Sequence, residues 1–309
     1  MTPPRKLAPR RSAILATCLA DDEIQVGPHR RVSFQRTLRI PDDDGLYPLP
    51  PGLGRFPLRA HEGRTILPMY RREALWISFE GAWWRPSAVK IGVGGINAVS
   101  GEPLDGEIRP GRQDYLVCPD QPWLDGVKAG EGMIRQFVGV PLGDGVTVEG
   151  QLTGHEATGG IQIVVIEPKA GLFPDTPPER DVRLGSEAVC FSTHADMGLG
   201  VGGRMRQDIF PDDYGWETWD PARRGRADVR LVHVADWAAL TGEAPPPNPV
   251  SAQAYTDAGL PWFDLYSERG DLGASERLAT VRSVDLLEGE TGDPVSIPPW
   301  QVAFVEGDA

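Results

Sequence analysis

The feature that most constrains the fold is a series of short apolar segments rich in β-branched residues and separated by turn-forming residues. Residues 30–40 (RRVSFQRTLRI) alternate apolar and polar side chains, as a strand with one buried face does. Similar segments recur about every ten to twenty residues, with Gly, Pro or Asp between them. They are 72–79, 87–99, 113–118, 132–140, 146–152, 161–168, 187–192, 204–210, 229–234 and 301–306. This rhythm predicts an all-β protein, a large antiparallel β-sandwich or distorted barrel, and not strands that alternate with crossover helices.

Gly and Pro also divide the chain into regions. The chain contains 37 Gly and 30 Pro, well above average usage. We predict an arm with a first strand over 1–28 and a β-rich body over 29–241, with a possible division into two β subdomains near 169–181. Residues 242–250 (GEAPPPNPV) are typical of a semi-rigid spacer. A short, mostly helical tail over 251–309 contains apolar stretches that favour packing back on the body.

Helical signals are few and short. Residues 235–242 predict a helix that begins at Asp236 as N-cap and stops at Gly242. Two further helices are predicted in the tail region, over 248–259 with Ser251 as a cap and over 273–289.

Charge and cysteine content restrict partners and compartment. With 31 basic and 44 acidic residues, the net charge is −13, so nucleic acid and membrane surfaces are unfavourable partners. The two basic stretches are predicted to be a solvated arm, over 2–11, and a solvated loop, over 221–230. Three cysteines without a CxxC pair indicate a reducing compartment, and we predict a cytoplasmic protein. Nothing in the sequence indicates a cofactor.

A glycine pattern at 198–203 matches G-x-G-x-x-G but not its required context. A dinucleotide-binding turn follows a buried strand directly and opens a helix. Here polar residues 192–197 precede Gly198, and Pro211 follows too soon for a crossover helix. The remaining prediction is a Gly-rich turn whose backbone N–H groups, with Arg204 and Arg206, could bind an anion. The alternative is a flexible hairpin turn.

Catalytic and metal signatures are weak. His194 and Asp196 stand two residues apart, which on a strand would place both on one face as metal ligands or as a base with its orienting group. A polar loop is the alternative. No G-x-S-x-G motif, zinc-binding histidine spacing or cysteine-enzyme signature occurs, and whether the protein is an enzyme stays open.

The most distinctive segment, DDYGWETWD at 212–220, places aromatic rings among carboxylates. We predict that Tyr214, Trp216, Glu217, Trp219 and Asp220 bind a ligand, because sugars and cations bind aromatic faces beside acids. The alternative is that the tryptophans fill the core. The pattern P-W-x-D also occurs twice, at 122–125 and 261–264, and predicts loop closure.

Two functional hypotheses follow from these patterns. The first is a non-enzymatic cytoplasmic binding or assembly module that contacts a protein partner or a polar small molecule through residues 194–220. The second is a carbohydrate-active or other hydrolytic enzyme that uses carboxylates within 208–220, with a metal at His194 and Asp196 as an option. Edge strands of a large β body also allow a homo-oligomer.

Overall fold

The computed structural model describes residues 14–43, 45–178, 196–250, 270–288 and 303–304. Within these ranges it contains 18 strands, which pair mostly antiparallel in a sheet that is not closed into a barrel. The prediction of an all-β, antiparallel protein is therefore confirmed. The sheet does not close into the barrel that the sequence allowed as an alternative. The strands are β1 (Thr17–Ala20), β2 (Glu23–Val26), β3 (Arg30–Thr37), β4 (Gly45–Tyr47), β5 (Gly52–Arg55), β6 (Arg59–His61), β7 (Arg64–Met69), β8 (Ala74–Gly81), β9 (Ser87–Val93), β10 (Ile96–Asn97), β11 (Leu116–Cys118), β12 (Trp123–Leu124), β13 (Gly126–Gly130), β14 (Met133–Pro141), β15 (Ile161–Pro168), β16 (Asp196–Arg206), β17 (Trp219–His233) and β18 (Ala303–Phe304).

Two groups of strands enclose one core. In the first group β2, β3, β8, β14 and β16 pair in succession, and in the second group β9, β15, β17 and β7 do so. The groups join where Asp196 and Met197 of β16 pair with Val232 and Leu231 of β17. Alternate side chains of both groups point into a single hydrophobic cluster, as the period of two along a strand requires; examples are Val32, Phe34, Leu75, Ile77, Ile91, Val93, Ile163 and Val165.

The described helices are short, and they both confirm and correct the sequence predictions. Helix α2 (Trp237–Thr241) follows Asp236 as N-cap and ends at Gly242, whose φ of 74° is in the left-handed region. The predicted strand at 146–152 is wrong, because residues Val148–Thr153 form helix α1. The Thr147 hydroxyl accepts the N–H of Gly150 at 2.9 Å and caps this helix.

The described part of the tail packs against the body. Helices α3 (Glu276–Ala279) and α4 (Val284–Glu288) replace the single helix predicted over 273–289. Leu278 and Val281 belong to the central hydrophobic cluster, and the Asp271 carboxylate forms an ion pair with the buried Lys128 ammonium. The predicted strand at 187–192 and most of the predicted helix at 248–259 lie outside the described residues.

The strand boundaries differ from prediction where backbone pairing runs past the apolar segment. The predicted strand at 204–210 is shifted, since β16 spans Asp196–Arg206.

The central hydrophobic cluster contains residues from both sides of 169–181, the position at which the sequence allows a division into two subdomains. None of the described helices is long and apolar enough to cross a membrane.

Candidate functional site

The glycine pattern lies inside a strand, so the expected Gly-rich turn is wrong. Gly198 and Gly200 pair with Val140 and Val138 of β14 in an antiparallel ladder, whose register shifts between the Phe137–Val201 and Arg135–Arg204 pairs. Gly203 is required by close packing: a Cβ atom there would lie 1.9 Å from the carbonyl oxygen of Pro41. The ladder already uses backbone groups of this segment, so it does not offer the anion cradle that a turn would provide.

The two arginines after the glycines lie at the end of β16. Arg204 pairs with Arg135 of β14 on one side and with Leu46 of the parallel β4 on the other, and Arg206 pairs with Met133. Both side chains are half-buried. The structure therefore places these arginines against β4 and β14, whereas the tryptophan segment contacts other elements.

Asp212 is the hub of the tryptophan segment. One carboxylate oxygen accepts hydrogen bonds from the Tyr115 hydroxyl at 2.6 Å and from the Trp219 indole N–H at 2.8 Å. The other oxygen accepts the backbone N–H groups of Tyr214 at 2.9 Å and Gly215 at 3.2 Å. Together with burial, the bond to this carboxylate raises the pKa of the Tyr115 hydroxyl. Asp212 thus fixes the loop that leads into β17.

Burial divides the predicted aromatic residues into two kinds. Trp219 is 2% exposed and packs with Tyr115 and the outer face of β15, so its ring belongs to the core. Tyr214 and Trp216 are 39% and 41% exposed, and Trp216 begins a 3-10 turn that ends at Thr218. The core alternative therefore holds for one ring and not for the other two.

The exposed rings are continued by a neighbouring loop. The Phe173 ring lies 5.6 Å from the Tyr214 ring in an edge-to-face arrangement, and Leu172 is 54% exposed. We call Leu172, Phe173, Tyr214 and Trp216 the aromatic patch. Glu217 beside it is exposed, and Asp220 is half-buried with one carboxylate oxygen accepting the N–H of Ala222 at 3.2 Å.

A buried ionic network, which sequence reasoning missed, holds the loop under the patch. The Glu167 carboxylate accepts the Arg85 Nε–H at 2.8 Å and contacts His29 Nδ1 at 3.0 Å. The same Arg85 donates to the carbonyl oxygens of Phe173 at 2.9 Å and Pro174 at 3.2 Å. The only available signal was a glutamate that ends the apolar run at 161–168, and its cationic partners are distant in sequence.

The predicted metal site is only half described. His194 lies outside the described residues, and Asp196 begins β16 opposite Val232. Within the described ranges no group of three or more His, Cys, Asp or Glu side chains is arranged to hold a metal ion.

The prediction of a loop at 221–230 is wrong, because this basic stretch lies on β17 and pairs with β15. Its arginines have acidic partners nearby. Arg224 forms an ion pair with Glu107 at 2.9 Å, and Arg226 forms one with Asp228 at 2.6 Å. These pairs are partly exposed and neutralise much of the local positive charge, as expected for a solvated strand face.

Comparison with known proteins gives no further assignment. No family model matches the chain, and neither the curated proteins nor the solved structures contain a match.

Proposed function

We propose that the protein is a non-enzymatic binding module that contacts a protein partner through the aromatic patch. The observation that carries this proposal is the exposure of Tyr214 and Trp216, at 39% and 41%, on a loop that is fixed from below. Tyrosine and tryptophan are enriched where proteins bind each other, because large rings supply contact area with few rotatable bonds.

The support under the patch lowers the cost of binding. Asp212 accepts four hydrogen bonds at the base of the loop, and Arg85 holds the backbone of Phe173. A loop that is already ordered loses little conformational entropy when a partner binds. The exposed carboxylate of Glu217 favours a partner that presents N–H donors or a cationic side chain beside its apolar contact surface.

The cytoplasm is the compartment that we propose, since a free thiol is typical of a reducing environment. Cys118 is buried and free, and burial raises the pKa of its thiol to about 12, which makes it unreactive. A polar small molecule, such as a sugar stacked on Trp216, is the second form of binding that the patch allows. A second copy of the chain is one protein partner to consider.

The hydrolytic alternative requires two carboxylates that face a substrate at a defined separation. Asp212 cannot serve as one of them, because both of its oxygens are already hydrogen-bonded within the protein. No observation on the described residues favours this alternative over binding.

Native mass spectrometry of the protein purified gently from its own host tests the proposal. We expect the wild-type chain to retain a second protein mass and the double variant Tyr214→Ala/Trp216→Ala to lose it. Leu286→Ala is the matched control, since Leu286 is 64% exposed but lies on α4, outside the patch. Retention of the same second protein by the wild type and by the double variant would overturn the proposal.

Two other results would indicate a different function for the aromatic patch. A small polar molecule that is retained by the wild type and lost by the double variant would identify a ligand site at the patch. Turnover of a polysaccharide that is abolished by Glu217→Gln would favour the hydrolytic alternative instead.

A further inference from the structure

The proline-rich residues 242–250 are fastened to the body and do not form a free spacer. The Tyr70 hydroxyl donates to the carbonyl oxygen of Pro246 at 2.9 Å, and Arg36 Nη2 donates to the carbonyl oxygen of Pro247 at 2.7 Å. Pro246 is buried, whereas Pro245 and Pro247 on either side of it are exposed. One proline is thus inserted into the body while two successive carbonyl groups receive donors.

The sequence of the segment makes it suited to this mode of binding. Each proline fixes its own φ near −65°, and residues that precede a proline avoid the helical region. Residues 244–249 (APPPNP) therefore favour an extended, polyproline-like backbone whose carbonyl oxygens face outward. Such a segment loses little entropy on binding, and proteins recognise it with aromatic side chains and donors to its carbonyls.

The receiving site is built entirely by the body. Arg36 lies on β3, where its Nε–H donates to the Glu73 carboxylate at 2.7 Å and its guanidinium carbon lies 5.6 Å from the centre of the Phe56 ring. The same carboxylate accepts the backbone N–H of Tyr70 at 2.9 Å. Glu73 thereby orients the Arg36 guanidinium and holds the backbone of Tyr70, and none of these contacts depends on the proline-rich segment.

We propose that Tyr70 and Arg36, whose guanidinium lies over the Phe56 ring, form a recognition site for proline-rich segments, which the chain fills with its own Pro246 and Pro247. The ligand class is an extended peptide with consecutive prolines, one of which enters the site while the carbonyl groups accept from Tyr70 and Arg36. The segment is tethered next to the site, partly through an ion pair between Arg59 and Glu243 at 2.6 Å. Its effective concentration is therefore on the order of millimolar or more, and the site is masked toward weaker external ligands.

A peptide-binding assay with the full-length protein tests this proposal. The probe is a fluorescein-labelled peptide with the sequence of residues 242–250, and a second peptide with every proline replaced by alanine is the negative control. We expect the peptide to bind the variant Pro245→Gly/Pro246→Gly/Pro247→Gly at least tenfold more tightly than it binds the wild type. The glycines remove the conformational preference of the internal segment and unmask the site.

Substitutions of Tyr70 and Arg36 then show whether the peptide binds at the proposed site in the triple-glycine variant. Adding Tyr70→Phe or Arg36→Lys to the triple-glycine variant should weaken peptide binding at least fivefold. Far-UV circular dichroism confirms that the variants are folded. Equal peptide affinity of the wild type and the triple-glycine variant would refute the proposal, as would equal binding of the alanine peptide or no effect of Tyr70→Phe.

A second measurement does not depend on an added peptide. Proteolysis after Glu243 by a glutamate-specific protease should be faster in Tyr70→Phe than in the wild type, because the segment is released more often. Tyr47→Phe is the matched control, since it also removes one hydroxyl hydrogen bond, to Asp43 at 2.6 Å, but at another place. Equal cleavage rates of Tyr70→Phe and the wild type would contradict the proposed contact.

Discussion

Asp125 gives the sharpest prediction, because it is a buried carboxyl with no cation beside it among the described residues. It lies between β12 and β13 and is 1% exposed. The Gln207 side chain accepts the Asp125 backbone N–H at 2.9 Å and donates to its Oδ2 at 2.8 Å. Burial raises the pKa of Asp125 from 3.8 to about 7, and only the neutral Gln207 and Trp123 side chains oppose this shift.

The direction of the pH effect follows from proton binding. Between about pH 4 and pH 7 the folded protein keeps a proton on Asp125 that the unfolded chain has lost, so the free energy of unfolding falls as pH rises through this range. Below this window both states are protonated and the penalty is absent. A shift of about three pKa units corresponds to roughly 4 kcal/mol, at about 1.4 kcal/mol per unit.

Asp125→Asn is the perturbation that isolates this contribution. An amide resembles the protonated acid and cannot ionise, so the variant should match the wild type near pH 4 and exceed its stability by about 3–5 kcal/mol near pH 8. Urea unfolding, monitored by tryptophan fluorescence at pH 4, 5, 6, 7 and 8, measures the difference. Glu73, whose pKa burial also raises to about 7, contributes to both proteins and cancels.

Asp144→Asn, a change at an exposed carboxyl, serves as the control and should leave the pH dependence unaltered. A difference between Asp125→Asn and the wild type that stays constant from pH 4 to pH 8 would refute the reasoning. So would a variant that is less stable than the wild type at pH 8.

Three further predictions concern stability and are measured by denaturant unfolding at neutral pH. Trp219→Ala should cost about 3–5 kcal/mol because it empties a core position, whereas Trp216→Ala should cost less than about 1 kcal/mol; similar losses would show that the two rings are not divided by burial. Gly203→Ala should destabilise by about 1–3 kcal/mol or more through the clash with the facing carbonyl, while Gly273→Ala, which has open space around it, should stay within about 0.5 kcal/mol of the wild type; equal effects would contradict the close packing. Lys90→Met should cost about 3–5 kcal/mol, because the fully buried ammonium pairs with Asp114 at 2.9 Å and Asp105 at 3.1 Å, and its loss leaves the buried Asp114 carboxylate with only the more distant Arg109, at 4.0 Å, among the described cations; a neutral result would mean that Arg109 and water compensate for the lost ammonium.

Local sequence patterns were sufficient where the local signal and the tertiary environment agree. The apolar run at 161–168 is strand β15 over the same residues, since it is buried on both faces between β9 and β17. Helix α2 begins after Asp236 and ends at Gly242 as predicted, because a left-handed glycine ends a helix without help from distant residues.

For the candidate site, the sequence identified the segment but not the roles of its residues. The rings and carboxylates at 212–220 are visible in the sequence, but nothing local distinguishes Trp219, which is buried, from Trp216, which is exposed. That difference arises because the Asp212 carboxylate accepts hydrogen bonds from the Trp219 indole and from the hydroxyl of Tyr115. Tyr115 lies almost a hundred positions from Asp212 in the sequence.

The sequence by itself determined the all-β class, since alternation and turn residues act over a few positions and need no distant partner. Tertiary structure alone decided that glycines 198–203 run through a strand, because the ladder with β14 and the contact of Gly203 with Pro41 are long-range. It also decided that Val148–Thr153 forms a helix, whose Glu149 carboxylate accepts the N–H groups of Ala157, Thr158 and Gly159. Hydrogen bonds to distant backbone and the volume left by distant side chains leave no periodic trace in the sequence.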